Sequence, residues 1–147
     1  MQLSEHFTLE EFTQSDTATR LGLNNTPTPE VLENLKRLSL MLEKVRGVLG
    51  RSITISSGYR CPELNKAVKG QPTSQHQIGC AADIKVALMT PDQVVKAIIK
   101  SNIQYDQLIR EFDSWVHISV TNTPQDTPRN QTLIIDSKGT RPYATNA

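Results

Sequence analysis

Val31, Leu35, Leu38, Leu42, Val45 and Leu49 recur in alternating steps of four and three, a spacing that an α-helix turns into one apolar stripe. Glu33, Lys36, Glu43 and Arg46 fall on the opposite face. Thr28-Pro29-Glu30 opens this helix, with Thr as N-cap and Pro at the first helical position, where its missing N–H does no harm. Gly47 and Gly50 mark its end. Packing of such a face supplies most of a helix's stability, so the stripe reads as core rather than as a partner-binding surface.

The remaining punctuation predicts what covers that stripe. Thr8-Leu9-Glu10-Glu11 has the pattern of a capping box and opens a short helix. Ile53-Thr54-Ile55 alternates as a half-buried strand, which Ser56-Ser57-Gly58 is expected to break. Pro62 to Val68 forms a short helix stopped near Gly70, Ala81 to Val86 a second strand, and Thr90-Pro91-Asp92-Gln93 caps a helix running to about Lys100. Gln107 to Arg110 and Trp115 to Val120 read as two strands joined by a short turn, and Leu133-Ile134-Ile135 adds another. Helices first, then strands mixed with one helix, fit an α+β domain better than a βαβ repeat. The 147 residues suit a single domain, and the stretch from Thr121 to Pro128 reads as a long loop.

Sixteen Lys and Arg stand against fifteen Asp and Glu, which removes the usual electrostatic case for a nucleic-acid partner or an anionic membrane surface. No apolar run approaches the roughly 20 residues that cross a bilayer. The opening Met1 to His6 lacks the basic and apolar stretches of a signal peptide, so synthesis as a soluble protein is expected. Cys61 and Cys80 are too few for a disulfide framework and lack the spacing of a zinc-thiolate site; they read as two buried thiols.

The segment Ser74-Gln75-His76-Gln77-Ile78-Gly79-Cys80-Ala81-Ala82-Asp83 carries the chemistry. His76 falls in a loop, Gly79 permits a sharp bend or a close backbone approach, and Asp83 lies on the strand that follows. In Trp115-Val116-His117-Ile118-Ser119-Val120, alternation sends Val116, Ile118 and Val120 to the core and Trp115, His117 and Ser119 to the other face. Two imidazoles and a carboxylate match a catalytic zinc site, which uses three protein ligands and leaves a fourth position to water. Spacing alone leaves the same three residues equally open to being hydrogen-bonded side chains, the reading given to His6.

Ser74-x-His76-x-x-Gly79-x-Ala81-x-Asp83 followed by Trp115-x-His117 resembles the signature of the zinc D-alanyl-D-alanine carboxypeptidase family. That family also includes vancomycin-resistance D,D-dipeptidases and phage L-alanyl-D-glutamate endolysins, and the chain is most similar to its short, single-domain phage-type members. The resemblance runs from the Ser4 to Phe12 opening through Ser57-Gly58-Tyr59-Arg60 to the His117 strand. It implies a fold shared with the hedgehog signalling domain, a small antiparallel sheet packed by helices. It further implies Zn2+ held by His76, Asp83 and His117, and Arg60 directed at the scissile carbonyl to stabilise the oxyanion. The substrate so implied is a peptidoglycan stem peptide, the place of action the bacterial cell wall, and the expected state a monomer.

The general base departs from that pattern. Several branches of the family carry Glu three residues before the last ligand, where this chain has Ser114, which is no base at neutral pH. Glu111 and Asp113 are the available carboxylates. Six residues of extended strand would hold Glu111 about 20 Å from His117, so the chain must turn between them. A three-residue loop, Phe112-Asp113-Ser114, pairs Glu111 with Trp115 and points it to the His117 face; a two-residue loop, Asp113-Ser114, turns Glu111 to the core and favours Asp113. The reading adopted is Glu111 with the longer loop. Ser74 is expected to bind substrate or orient the His76 loop, and Trp115 to wall the cleft. The missing Glu at position 114 also keeps open a non-catalytic zinc-binding or wall-binding module on the same fold.

Overall fold

The computed structural model describes residues 1–143. Five helices, α1 (Leu9–Thr13), α2 (Asp16–Leu21), α3 (Pro29–Leu49), α4 (Pro62–Ala67) and α5 (Pro91–Lys100), accompany six strands in this part of the chain. The strands are β1 (Ile53–Ser57), β2 (Ala81–Val86), β3 (Gln107–Glu111), β4 (Trp115–Ser119), β5 (Gln131–Asp136) and β6 (Gly139–Pro142), and a 3-10 turn spans Gln75–Ile78. The architecture is α+β, as expected, with one sheet in the order β1-β2-β4-β3-β5-β6. Among the described residues, no helix is long and apolar enough to cross a membrane.

α3 forms where its stripe requires. The Thr28 hydroxyl accepts from the Val31 N–H, and Val31, Leu35, Leu38, Leu42 and Val45 are buried. The helix runs through Gly47, and Gly50, at φ 62°, ends it because a left-handed residue cannot continue the helical path. α5, opened by a Thr90 to Gln93 capping box, buries Val94, Val95 and Ile98. These side chains join Ile84, Leu108, Val116 and Ile118 from the sheet in one core cluster. The helices thus cover one face of the sheet and leave β2, β4, β3 and β5 a second face for other work.

Three features differ from expectation. β1 continues through Ser56 and Ser57: a register shift between Ile55 and Ser57 restores pairing at Ser57↔Asp83, so the serines bend the strand without ending it. The sheet is not wholly antiparallel, because β5 lies parallel to β3, with Ile109↔Leu133 and Glu111↔Ile135. The cause is an anchor. Asp106, just before β3, accepts from the backbone and the guanidinium of Arg129, and its carbonyl accepts from the Gln131 N–H, so β5 starts beside the start of β3. The third is a pair of elements that the sequence does not announce, α2 and β6: Ser15 caps α2, but six residues are too few to show a helical period, and β6 has only four.

Gly58 follows the bulge with its backbone pressed on the end of α1; a Cβ there would lie 2.5 Å from the Phe12 carbonyl oxygen. Gly58→Ala is therefore expected to cost about 1–3 kcal/mol, the usual range for forced overpacking. Thermal denaturation checks this, and an unchanged midpoint would contradict so close a backbone approach.

Candidate metal centre

Each of the three candidate ligands is placed by a different device. Asp83 sits on β2 between its pairing partners Ser57 and His117, so its side chain points to the uncovered face of the sheet. His117, directly across on β4, shares that face. His76 arrives from the 3-10 turn, whose start is capped by the Ser74 hydroxyl accepting from the His76 N–H. Gly79 ends the turn at φ 79°, packed so closely on α3 that a Cβ would come 2.9 Å from the Val31 carbonyl oxygen. Both readings of that glycine hold: it turns left-handed and it lets the backbone approach.

The result is one cluster. His76, Asp83 and His117 are buried, and one donor atom from each lies within 4.8 Å of the others. His117 Nδ1 is 3.1 Å and His76 Nε2 3.4 Å from Asp83 Oδ1. Donor atoms bound to one tetrahedral zinc ion stand about 3.3 Å apart, so these spacings fit the ion. The protonation pattern points the same way. His76 Nδ1 lies 2.7 Å from the Gly58 carbonyl oxygen, which can only accept, so Nδ1 carries the hydrogen. Nε2 is then the nitrogen turned toward the Asp83 carboxylate. The Gly58 contact is the kind of outer bond that fixes a metal-binding tautomer.

Asp83 remains ionised in this pocket. Burial opposes its charge, but hydrogen bonds from His117 and His76 outweigh burial and hold it well below the usual carboxylate range. Arg60 adds a cationic neighbour, with Nη2 3.6 Å from Asp83 Oδ2. Its guanidinium is fixed from two other sides, Nε donating to Ser57 Oγ and Nη1 to Asn65 Oδ1. The preorganisation that an oxyanion-stabilising arginine needs is thus present.

The turn after β3 is the longer of the two alternatives. Glu111 pairs with Trp115, leaving Phe112, Asp113 and Ser114 as the loop. Phe112 and Asp113 both take left-handed backbone, at φ 52° and 50°, and the Ser114 N–H donates to the Glu111 carbonyl. Glu111 therefore faces the same cleft as the three ligands and Arg60, a concavity of about 760 Å³. Burial, and next the charge of Asp83, raise its pKa above the ordinary glutamate value. Asp113 points elsewhere: its exposed carboxylate lies 3.0 Å from Arg110 Nε.

Ser74 lines the cleft, but Trp115 does not. Trp115 stands at the first residue of β4, beyond the ligand row, where its ring packs on Phe112 at 5.9 Å and borders a separate cavity with Met89, Pro91 and Val94. Its buried Nε1–H meets no acceptor at hydrogen-bonding geometry, yet its nearness favours the ionised form of Glu111. Cys61 and Cys80 are buried and free and neither lines the cleft; burial pushes the Cys80 thiol up to about 11. His6 is hydrogen-bonded to Glu43 at the surface, 2.7 Å away.

Several cleft residues were not legible in the sequence. Gly58 contributes a carbonyl and Asn65 an arginine anchor, and neither role has a motif. Gln75 donates to Asp106 and Asn122, tying the His76 turn to the loop after β4. Arg129, Leu133 and Ile135 line the cleft through the unexpected parallel pairing.

A family model described as Peptidase M15 matches residues 5–119, most of the chain. No curated protein matches the sequence significantly.

Titration with zinc is expected to load about one ion per chain and to raise the thermal midpoint, by about 4 kcal/mol of stability when free zinc is a thousandfold above Kd. Protons compete with the metal for the donor atoms, so affinity should fall as the solution is made acidic. Asp83→Asn and His117→Ala should each lose most of the bound zinc. Elemental analysis decides this, and full zinc content in either variant would reject the cluster as the binding site.

Proposed function

The chain belongs to the peptidase M15 family, and from that premise we propose that it is a zinc-dependent peptidase hydrolysing a bond in peptidoglycan stem peptides. The bond is either that between D-alanines or that between L-alanine and D-glutamate, and the site of action is the bacterial wall, as for short phage-type enzymes. The observation that carries this reading is the convergence, in one cleft, of a buried His-Asp-His cluster with a separate carboxylate and a fixed guanidinium. A structural metal site has no use for the last two.

In this reading His76, Asp83 and His117 hold the metal. Zinc bound there supplies Lewis acidity, which polarises a carbonyl and acidifies water. Glu111 accepts the proton of the attacking water and returns it to the leaving nitrogen. Its raised pKa suits both steps, because a base closer to the working pH also releases the proton more readily. Arg60, held by Ser57 and Asn65, donates to the oxygen on which negative charge develops. Ser74 keeps the His76 turn in register. One chain carries the complete set, so a monomer suffices.

Digestion of purified peptidoglycan, with mass spectrometry of the products in the presence of zinc and of a chelator, tests activity, metal and bond together. Glu111→Gln should lower kcat by about 10²–10⁴ while keeping its zinc. Arg60→Lys should keep the fold and zinc yet lose about 10²-fold in kcat, because an ammonium cannot reproduce the planar guanidinium contacts. Chelator-treated, metal-free protein that still releases fragments would refute the metallopeptidase reading.

A further inference from the structure

The groups around the metal site owe their direction to identifiable neighbours. His76 is fixed by the Gly58 carbonyl, Arg60 by Ser57 and Asn65, and Asp83 by its contact with His117. For Glu111 the hydrogen-bonding neighbour is Trp115, directly across the β3–β4 ladder. Asp83, His117 and Arg60 act on the same carboxylate through charge. Charge sets how firmly a carboxylate holds its proton, but only a directional bond decides which oxygen points where.

Trp115 is suited to give that direction. Opposed residues on adjacent antiparallel strands lie with Cβ atoms about 4.5–5.5 Å apart, close enough for an indole to reach a glutamate carboxylate. The ring is held in place, packed on Phe112 with centroids 5.9 Å apart and bordering Met89, Pro91 and Val94. Its Nε1 is buried and meets no acceptor at hydrogen-bonding geometry, an uncommon state for a donor that has given up water. Glu111 lines the cleft and Trp115 does not, so the indole reaches the carboxylate from outside the space a substrate fills.

We propose that Trp115 is the positioning residue for the general base: its Nε1–H bonds one carboxylate oxygen of Glu111 and so aims the other into the cleft. The inference rests on the peptidase reading above. An indole has a single N–H and accepts nothing, so it can occupy only one oxygen and cannot itself take up the proton. A turn of the Glu111 side chain completes the bond; hydrogen bonds of this kind commonly tighten only once substrate is in place. In hydrolysis the water oxygen bonds to the carbonyl carbon, its proton passes to the free oxygen of Glu111, and the same oxygen returns it to the nitrogen as the C–N bond breaks. The oxygen held by Trp115 takes no proton, which keeps the transfer at one atom throughout.

Trp115 is the chain's single tryptophan, so the indole N–H of the isotope-labelled, zinc-loaded full chain gives one magnetic resonance signal that reports on this bond without reference to activity. Glu111→Ala should shift that signal upfield and raise its exchange with solvent about tenfold or more, the effect of losing one hydrogen bond to a charged group. Trp115→Phe keeps an aromatic ring against Phe112 and loses only the donor. It should retain zinc and lower kcat about 10–100-fold with KM changed less than about twofold, as for a misdirected base. The same substitution made in Glu111→Gln should cost nothing further, because the group it aims is already lost. An indole signal indifferent to Glu111→Ala, or a Trp115→Phe loss that adds in full to that of Glu111→Gln, overturns the positioning role and leaves the peptidase reading standing. A Trp115→Phe protein that keeps zinc and turns over at the unsubstituted rate does the same; where that variant does not fold, the indole signal decides alone. Failure of the zinc-loaded unsubstituted protein to release any fragment from peptidoglycan overturns the peptidase reading and the positioning role with it.

Discussion

The buried carboxylate of Asp83 is the constraint around which the rest is arranged. A charge in that position is unfavourable unless every neighbour compensates for it, and the compensation comes from His117 across the strand pair, from His76 near the start of a 3-10 turn, and from Arg60 beyond the β1 bulge. These groups arrive from four separate segments. Holding them in place requires the bulge at Ser57, the turn at Gly79 and the carbonyl of Gly58, each of which is a backbone decision. The centre is therefore built less by its ligands than by the chain bends that aim them.

The helices serve this arrangement from the far side. α3 and α5 cover one face of the sheet with their apolar stripes, and this leaves the other face free to gather polar groups. The same α3 meets Gly79 through Val31 and Leu35, so the helix that seals the core also seats the turn carrying His76. A further tie comes from the Asn34 side chain, which donates to the Ile78 carbonyl at 2.8 Å. Packing and site geometry are in this way coupled through one helix.

Much of this was readable from the residues. The α3 stripe, the capping boxes at Thr8 and Thr90, and the alternation in Trp115 to Val120 are local patterns, and the elements they announce are present. The turn after β3 was reduced to two alternatives by counting residues, and the structure takes the longer, which brings Glu111 rather than Asp113 into the cleft. What stayed hidden was long-range: the parallel docking of β5, anchored by the Arg129 to Asp106 pair across 23 positions, and the position of Trp115 outside the cleft.

The sequence by itself determined which side chains have the chemistry for a metal centre and which faces of the helices and strands are apolar, because both follow from residue type and from the 3.6- and 2-residue periods. Only the tertiary structure decided how far apart the donors stand, which tautomer His76 adopts, and that an apolar strand from the end of the chain borders Glu111. Those properties depend on contacts between segments distant in sequence. No periodicity encodes them, and they appear only when the buried Asp83, the Gly58 carbonyl and the Asp106 anchor draw the segments together.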